Sequence, residues 1–324
     1  DIANMVSTTK KTGYVPYSYK GKTYYFQDMI ALCRTIRYLN GWDNENPYGN
    51  HTRSVTLVLL MSWKDEVSYL IHPSARKKGA ASYYALNMKD QAARDTLEAL
   101  FCYMGEKLGD NKARVSNWTL GNEVNSCKAW NYSGNMSLQE CVENYAQAFQ
   151  LLYQGVKRTA STSRVFISLD HCWNRADAGH TGKEYLDAFA AYMAKTAPSM
   201  QWNVNYHPYS QPLNNNRFWG DGSHTVSNTG TGYISMKNIQ VLTDYLGTLE
   251  NKYHKQSGSI RVILGEMGYT ARQGNSKEET EQAAALGYGY YIAMFNTRID
   301  AYIIRAYIDD PAESRAGLYL GMFS

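Results

Sequence analysis

A chain of 324 residues with 44% hydrophobic and 19% charged residues has ordinary globular composition and can bury a sizeable core. Its formal net charge of +4 is small and spread along the chain, so it gives no indication of nucleic-acid binding. The sequence contains no apolar stretch of about 18 residues, which excludes a membrane-spanning helix.

Strand and helix patterns alternate along most of the chain. The first residues carry a possible tyrosine-rich hairpin around Lys20-Gly21, and a turn-rich loop is predicted at 41–50. The predicted helices are 28–39, 87–108, 137–159, 181–195, 236–255 and 276–296, and the predicted strands are 54–63, 114–123, 164–170, 201–209, 260–266 and 301–308. Three helices open with capping-box sequences, at Ser137, Thr181 and Ser276. Strands that alternate with helices predict a parallel sheet, and the run at 54–63 is apolar enough to be covered on both faces.

Two glutamates lie at the ends of predicted strands. Glu123 ends the stretch Trp-Thr-Leu-Gly-Asn-Glu at 118–123, and Glu266 follows the apolar run 262–264 and Gly265. Because successive side chains of a strand point to opposite faces, Glu123 is predicted to end a file of small and polar residues. Hydrolysis of a glycosidic bond needs two carboxyl groups, one to protonate the leaving oxygen and one to attack or to activate water. The alternative is that each glutamate is a solvated carboxylate at a strand end.

The Gly-Asn-Glu at 121–123, the His-x-Tyr at 207–209 and the Gly-Glu at 265–266 form an ordered set, each at a predicted strand end. This set resembles the clan A retaining glycoside hydrolases over roughly residues 54–310. The resemblance implies a (β/α)8 TIM barrel with Glu123 as the acid/base on strand four and Glu266 as the nucleophile on strand seven. It also implies double displacement on a poly- or oligosaccharide, without a cofactor.

The strand count has a consequence under this resemblance. If Glu123 follows strand four, the six predicted strands are the third to the eighth. The first two strands and the last helix are then missing from the chain, and residues 1–324 are expected to be one catalytic barrel domain of a longer polypeptide. An open six-stranded α/β sheet is the alternative.

Residues that are expected to bind the sugar lie at or just after the predicted strand ends. They are Asn122, His207, Tyr209, Trp63, Asp170, Trp173, Arg305 and Tyr307. Asn122 resembles the asparagine of the clan that contacts the hydroxyl next to the reacting carbon. Arg305 and Tyr307 share one parity of the predicted last strand, and the tryptophan that usually ends this strand in the clan has no counterpart here.

Two expectations about geometry follow, each with its structural alternative. Glu266 should have a donor such as Arg305, Tyr209 or His207 within hydrogen-bond reach, because a nucleophilic carboxylate must stay ionised. Aromatic residues and the loop at 210–235 should rim one cleft, with Trp63, Trp173 and Tyr209 among them. The structural alternatives are that Trp63 packs under the following loop, that His207 bonds a backbone carbonyl, and that Arg305 pairs with a neighbouring carboxylate.

Two other functions stay open. Glu123, Asp170, His207 and Glu266 on consecutive strands would also suit a metal-dependent sugar isomerase, because their oxygen and nitrogen atoms are metal ligands. The third possibility is a catalytically inactive carbohydrate-binding barrel. A carbohydrate is the expected partner in each case, and the content of 28 tyrosines and 7 tryptophans suits stacking on sugar rings. The oligomeric state is not indicated.

The five cysteines form no metal-finger spacing. Cys127 and Cys172 follow two consecutive predicted strands, so a disulfide between them is one expectation. Cys141 lies in a helical pattern and is expected to be a buried thiol. An extracellular or cell-surface location is expected.

Overall fold

The computed structural model describes residues 1–41, 53–110 and 112–323. It contains two compact units, Asp1–Ile167 with Tyr192–Gln201, and Ser168–Ala191 with Trp202–Ser324. The loop predicted at 41–50 lies, beyond Gly41, outside the described residues. Within the described ranges, none of the helices combines the length and the hydropathy needed to cross a membrane.

The first unit begins with a small antiparallel sheet and continues with three parallel strands and their helices. In chain order its elements are α1 (Ile2–Met5), β1 (Val6–Ser7), β2 (Tyr14–Tyr19), β3 (Lys22–Gln27), α2 (Ile30–Leu39), β4 (Thr56–Leu59), α3 (Gln91–Leu108), β5 (Asn117–Leu120), α4 (Leu138–Lys157) and β6 (Arg164–Leu169). The predicted hairpin is confirmed, because β2 and β3 pair antiparallel across Lys20 and Gly21. Their φ angles of 48° and 76° are the left-handed values that a tight two-residue turn requires.

Strands β4, β5 and β6 pair in parallel, in chain order. All four residues of β5 are buried, whereas Val58 in β4 is exposed. The expectation that the first predicted strand is covered on both faces is therefore wrong. Strand β4 lies at the end of the sheet order, where fewer neighbours cover it.

Helices α3 and α4 meet at two glycines. A Cβ on Gly105 would lie 2.4 Å from the carbonyl oxygen of Gly155, and a Cβ on Gly155 would lie 2.6 Å from the carbonyl carbon of Phe101. The two backbones approach closely because neither position carries a side chain. The predicted capping box of α4 is confirmed, since Ser137 and Glu140 each bond the other's backbone N–H.

The second unit holds three more parallel strands and a separate strand pair. Its elements are α5 (Gly182–Thr196), whose last residues belong to the first unit, β7 (Asn203–Tyr206), α6 (Gln240–Lys252), β8 (Val262–Leu264), α7 (Ser276–Phe295), β9 (Ile299–Tyr302), β10 (Ala306–Ile308), α8 (Pro311–Arg315) and β11 (Gly321–Phe323). Strands β7, β8 and β9 pair in parallel. The order of the strands within each unit is the order of the chain, which confirms the predicted parallel α/β arrangement.

Two local predictions in this unit are wrong. The predicted strand 301–308 is divided, because β9 ends at Tyr302 and β10 pairs with β11 instead. The predicted capping box at Ser276 is displaced by one residue, since the side chain of Asn275 accepts the N–H of Glu278 and caps α7. The capping box at Thr181 is confirmed by reciprocal bonds of 3.1 Å with Glu184.

A buried ion pair joins α6 to the segment before β9. The carboxylate of Glu250 accepts the N–H groups of Gly258 and Ile260 at 2.9 and 2.7 Å. It also accepts Nη1 and Nη2 of Arg298 at 2.7 and 3.1 Å. Burial raises the pKa of Glu250, but the bonds from Arg298 and the two amides outweigh burial, so the net pKa is lowered.

A second carboxylate fastens the amino-terminal segment. Glu66 accepts Ser7 Oγ at 2.9 Å, the N–H of Thr8 at 2.8 Å and Nζ of Lys11 at 2.9 Å. The bond from Lys11, followed by the Thr8 amide, lowers the pKa of Glu66 from 4.5 to about 2. The ionised form of Glu66 is therefore the one that holds this segment.

Candidate active site

Glu266 lies two residues beyond the end of β8, in the second unit. The hydroxyl of Tyr209 donates a hydrogen bond of 2.9 Å to its Oε1. Nε of Arg305 lies 3.1 Å from the same oxygen and forms an ion pair with it. A hydroxyl donor and a guanidinium thus meet the same carboxylate oxygen. The expectation that Glu266 has such a donor within reach is confirmed for Tyr209.

Arg305 is shared between two carboxylates. Its Nη2 donates a 2.9 Å hydrogen bond to Oε1 of Glu313, on α8. Burial lowers the pKa of Arg305, but the negative charges of Glu266 and Glu313 outweigh burial and the net pKa is raised. Arg305 therefore has the carboxylate neighbour that the structural alternative required, and it contacts Glu266 as well.

Glu313 was not found from the sequence. It lies in the first turn of α8, where the side chain of Asp310 accepts the N–H groups of Ala312 and Glu313 at 2.7 and 3.3 Å. An Asp before a Pro at the first helical position is a helix-start signal. The pair Asp310-Pro311 would have identified α8 and drawn attention to the acidic residue in its first turn.

The backbone before Glu266 passes close to β7. A Cβ on Gly265 would lie 1.9 Å from Oδ1 of Asn205, whose side chain is buried. No larger residue fits at 265 unless Asn205 or the strand end moves. The glycine at 265 therefore allows the chain to pass close to Asn205 as it leaves β8, directly before Glu266.

Other predicted site residues of this unit lie in different surroundings. His207 and Asp170 are buried, and Oδ1 of Asp170 accepts the N–H of Cys172 at 2.8 Å. Trp173 is fully buried with its ring against Tyr245 at a centroid distance of 5.1 Å. The expectation that Trp173 rims a cleft is wrong, because its indole has no accessible face.

Tyr307 lies on β10, whereas Arg305 lies in the connection between β9 and β10, so the two residues do not share a strand. Its side chain is 70% exposed, and its ring contacts Phe323 at a centroid distance of 4.7 Å. The shared strand parity of Arg305 and Tyr307 is wrong, because the chain leaves the sheet after Tyr302. The binding roles assigned to Tyr307, His207 and Asp170 stay predictions.

Glu123 lies in a tight turn of the first unit, three residues after β5 ends at Leu120. Gly121 has φ 73° and Glu123 has φ 43°, both left-handed. Strand alternation therefore stops at Leu120, and the predicted polar file does not extend to Glu123. The carbonyl of Glu123 accepts the N–H of Ser126 at 2.7 Å. The side chain of Glu123 is buried, and the neighbouring Asn122 is half-buried.

Trp63 is half-buried in the same unit. Its indole N–H donates to Asp65 at 2.6 Å, and its ring meets Tyr84 edge-on at a centroid distance of 5.6 Å. The ring is thus oriented by two neighbours, as the packing alternative required.

A cavity between β4, β5 and α4, lined by Leu59, Leu120 and other apolar residues, measures about 20 Å³, which is room for one water molecule and not for a sugar.

The parallel strands and the contacts of Glu266 define an α/β protein with a candidate carboxylate site. The chain belongs to the DUF5722 family, described as a family of unknown function, whose model matches residues 1–324. Comparison with curated proteins gives no match.

Solved structures that resemble the chain include glycoside hydrolases. A family 1 β-glucosidase from Thermotoga maritima is similar at 13% identity and a TM-score of 0.37, over 66% of this chain and 58% of that one. A β-glucuronidase from Bacteroides uniformis is similar at 12% identity and a TM-score of 0.43, over 86% of this chain and 28% of that one. An endo-β-1,4-glucanase from Xanthomonas axonopodis pv. citri, carrying a triple mutation, has the same identity and TM-score, over 86% and 70%. The chain thus spans less than two thirds of the first two structures.

Proposed function

We propose that this protein is a retaining glycoside hydrolase that cleaves a poly- or oligosaccharide by double displacement. The observation that carries the proposal is the pair of contacts on Glu266, a hydrogen bond from Tyr209 and an ion pair with Arg305. A carboxylate attacks a sugar carbon only when it is ionised, and a hydroxyl donor and a guanidinium are partners that suit a nucleophilic carboxylate. Both act on Oε1, so we assign the attack to Oε2.

Glu123 is the proposed acid/base. Its side chain is buried in a turn after β5, in the position that the sequence resemblance gives to the proton donor. In the first step it would protonate the leaving oxygen, and in the second it would accept a proton from the attacking water. The proposed fold is a (β/α)8 barrel in which β4 to β9 are the third to the eighth strands, and the proposed location is extracellular or at the cell surface.

Substitution of the two glutamates tests these roles. Glu266→Ala should abolish turnover, and added azide or formate should restore it with a product of inverted configuration, because the small anion replaces the missing nucleophile. Glu123→Ala should spare the first step for aryl glycosides with good leaving groups, because these need little protonation. Wild-type product of inverted configuration in the first minutes, read by proton NMR, would refute retention.

A substitution of Tyr209 tests the contribution of its hydrogen bond to Glu266. Tyr209→Phe removes one hydrogen bond to a charged group, so kcat/KM should fall by roughly 10- to 100-fold. The matched control is Tyr291→Phe, at an exposed tyrosine of α7, which should leave kcat/KM unchanged. Equal activity of the two variants would remove the support that Tyr209 gives to the nucleophile.

The other two functions have distinct outcomes. Arg305 places a positive charge 3.1 Å from Glu266, which disfavours a cation at that carboxylate and so disfavours the metal-dependent isomerase. Loss of activity in a chelator, restored by a divalent metal, would reverse this preference. Sugar binding without turnover of any aryl glycoside would instead support the inactive carbohydrate-binding barrel.

A further inference from the structure

Two thiols of the first unit lie together beside the turn of Glu123. Cys127 is four residues beyond Glu123, and Cys141 lies in the first turn of α4. Their sulfur atoms are within 4.8 Å of each other, and both side chains are buried. The Sγ of Cys141 also donates to Oγ of Ser133 at 3.2 Å. Both residues are present as reduced thiols.

The backbone between the two cysteines is already closed into a compact loop. The N–H of Ser133 donates to the carbonyl of Cys127 at 3.0 Å, and the capping box at Ser137 fixes where α4 begins. The two sulfur atoms are thus brought together by short-range structure within one unit. An S–S bond of about 2.05 Å brings these sulfur atoms closer than they lie in the reduced form.

We propose that Cys127 and Cys141 form a disulfide that ties the turn carrying Glu123 to the first turn of α4. The oxidant is a low-molecular-weight disulfide such as oxidised glutathione. One cysteine thiolate attacks it and forms a mixed disulfide, releasing one glutathione thiol. The second cysteine thiolate then displaces the other glutathione. The two cysteines together lose two protons and two electrons, and oxidised glutathione becomes two thiols.

The surroundings of the pair indicate when the bond forms. The hydrogen bond with Cys127, and then burial, raise the pKa of Cys141 far above its usual value. A thiol of this kind is rarely ionised near neutral pH, and the thiolate is the reactive form. The reduced, folded protein should therefore react slowly with glutathione, whereas the same chain should oxidise readily while it folds.

This pairing replaces the one expected from the sequence. Cys127 and Cys172 follow consecutive strands, which suggested that they meet, but Cys127 has Cys141 beside it within its own unit. The proposal does not depend on the hydrolase assignment, because its readout is a covalent bond and not turnover.

The experiment is to refold the 324-residue chain from denaturant in a buffer of reduced and oxidised glutathione. Denatured alkylation and peptide mass mapping then follow. We expect a linked peptide that contains Cys127 and Cys141 with the mass of two hydrogen atoms missing, and alkylation of the other three cysteines. Urea should unfold this oxidised form at a higher concentration than the same protein after reduction with dithiothreitol.

Variants separate this pair from other pairings. Cys141→Ser should abolish the linked peptide and leave Cys127 alkylated. Cys102→Ser, a matched change at another buried cysteine of the same unit, should keep the link. Alkylation of all five cysteines after refolding, a lasting adduct of glutathione on one thiol, or a link between Cys127 and Cys172 would each overturn the proposal.

Discussion

The replacement of Arg298 by methionine tests how much the buried ion pair contributes to folding. The side chain of Glu250 is 1% exposed and that of Arg298 is 15% exposed. Within the described residues, Arg298→Met removes two of the four hydrogen-bond donors to Glu250 and the positive charge of the ion pair, while keeping an apolar stem. Loss of one partner of a buried pair costs about 3–5 kcal/mol. Because two backbone amides still bond Glu250, we expect the lower end, about 3 kcal/mol.

Urea unfolding followed by circular dichroism measures this loss, and hydrogen exchange of the peptide that contains Gly258 and Ile260 locates it. The matched control is Arg272→Met. Arg272 pairs with Glu278, but its side chain is 62% exposed, so this change should cost about 0.2–1 kcal/mol. Equal losses for the two variants would refute the argument that burial decides the energy of the pair.

The pH dependence provides a second check on Arg298→Met. The folded pKa of Glu250 is lowered, so its contribution to stability is present above its unfolded pKa and is lost as the pH falls through the folded pKa. Without Arg298, burial favours the protonated form of Glu250, so acid should harm the variant less than the wild type. The difference in unfolding free energy should shrink as the pH falls below about 4.5, and a constant difference there would contradict the reasoning.

Three further predictions concern other contacts. Glu66→Gln should flatten the loss of stability that the wild type shows as the pH falls from 4.5 to about 2, because the carboxylate that titrates there is gone; urea midpoints across this range measure it. Gly155→Ala should cost on the order of 1–3 kcal/mol in thermal unfolding, since the added methyl group meets the backbone of Phe101. Glu313→Ala should lower kcat/KM roughly tenfold, because Arg305 loses its anchor, whereas Glu313→Gln keeps an acceptor and should stay within about twofold.

The elements were predictable because strand and helix periods differ over long stretches. All six predicted strand positions contain a strand, and the hairpin and two capping boxes were found from residues that act within a few positions of each other. Strand ends were harder to place. At the ends of β5 and β9, the backbone bonds other segments of the chain. Gly121, where the left-handed turn begins, donates its N–H to the carbonyl of Leu59. Ile303, for example, donates to the carbonyl of Leu264, and no local pattern encodes that bond.

The residues of the candidate site were likewise predictable only in part. Tyr209 was predictable as a partner of Glu266 because adjacent parallel strands end at the same edge of a sheet. Glu313 acts through Arg305 from a short helix, and only a helix-start signal indicates it. Trp173 was misassigned because a tryptophan after a strand looks the same in sequence whether it faces solvent or fills the core.

The left-handed backbone at position 123 favours glycine or asparagine, whereas the proposed acid/base role requires glutamate. Glycine and asparagine adopt this backbone readily, whereas most other L residues lose about 1 kcal/mol or more there. A lineage that no longer needs the carboxylate would have no reason to keep it, and its descendants would drift toward glycine or asparagine. We expect Glu123→Gly to raise the melting temperature while it abolishes turnover of glycosides with poor leaving groups, which need protonation. Position 123 would then mark, across the family, which members have become pseudoenzymes.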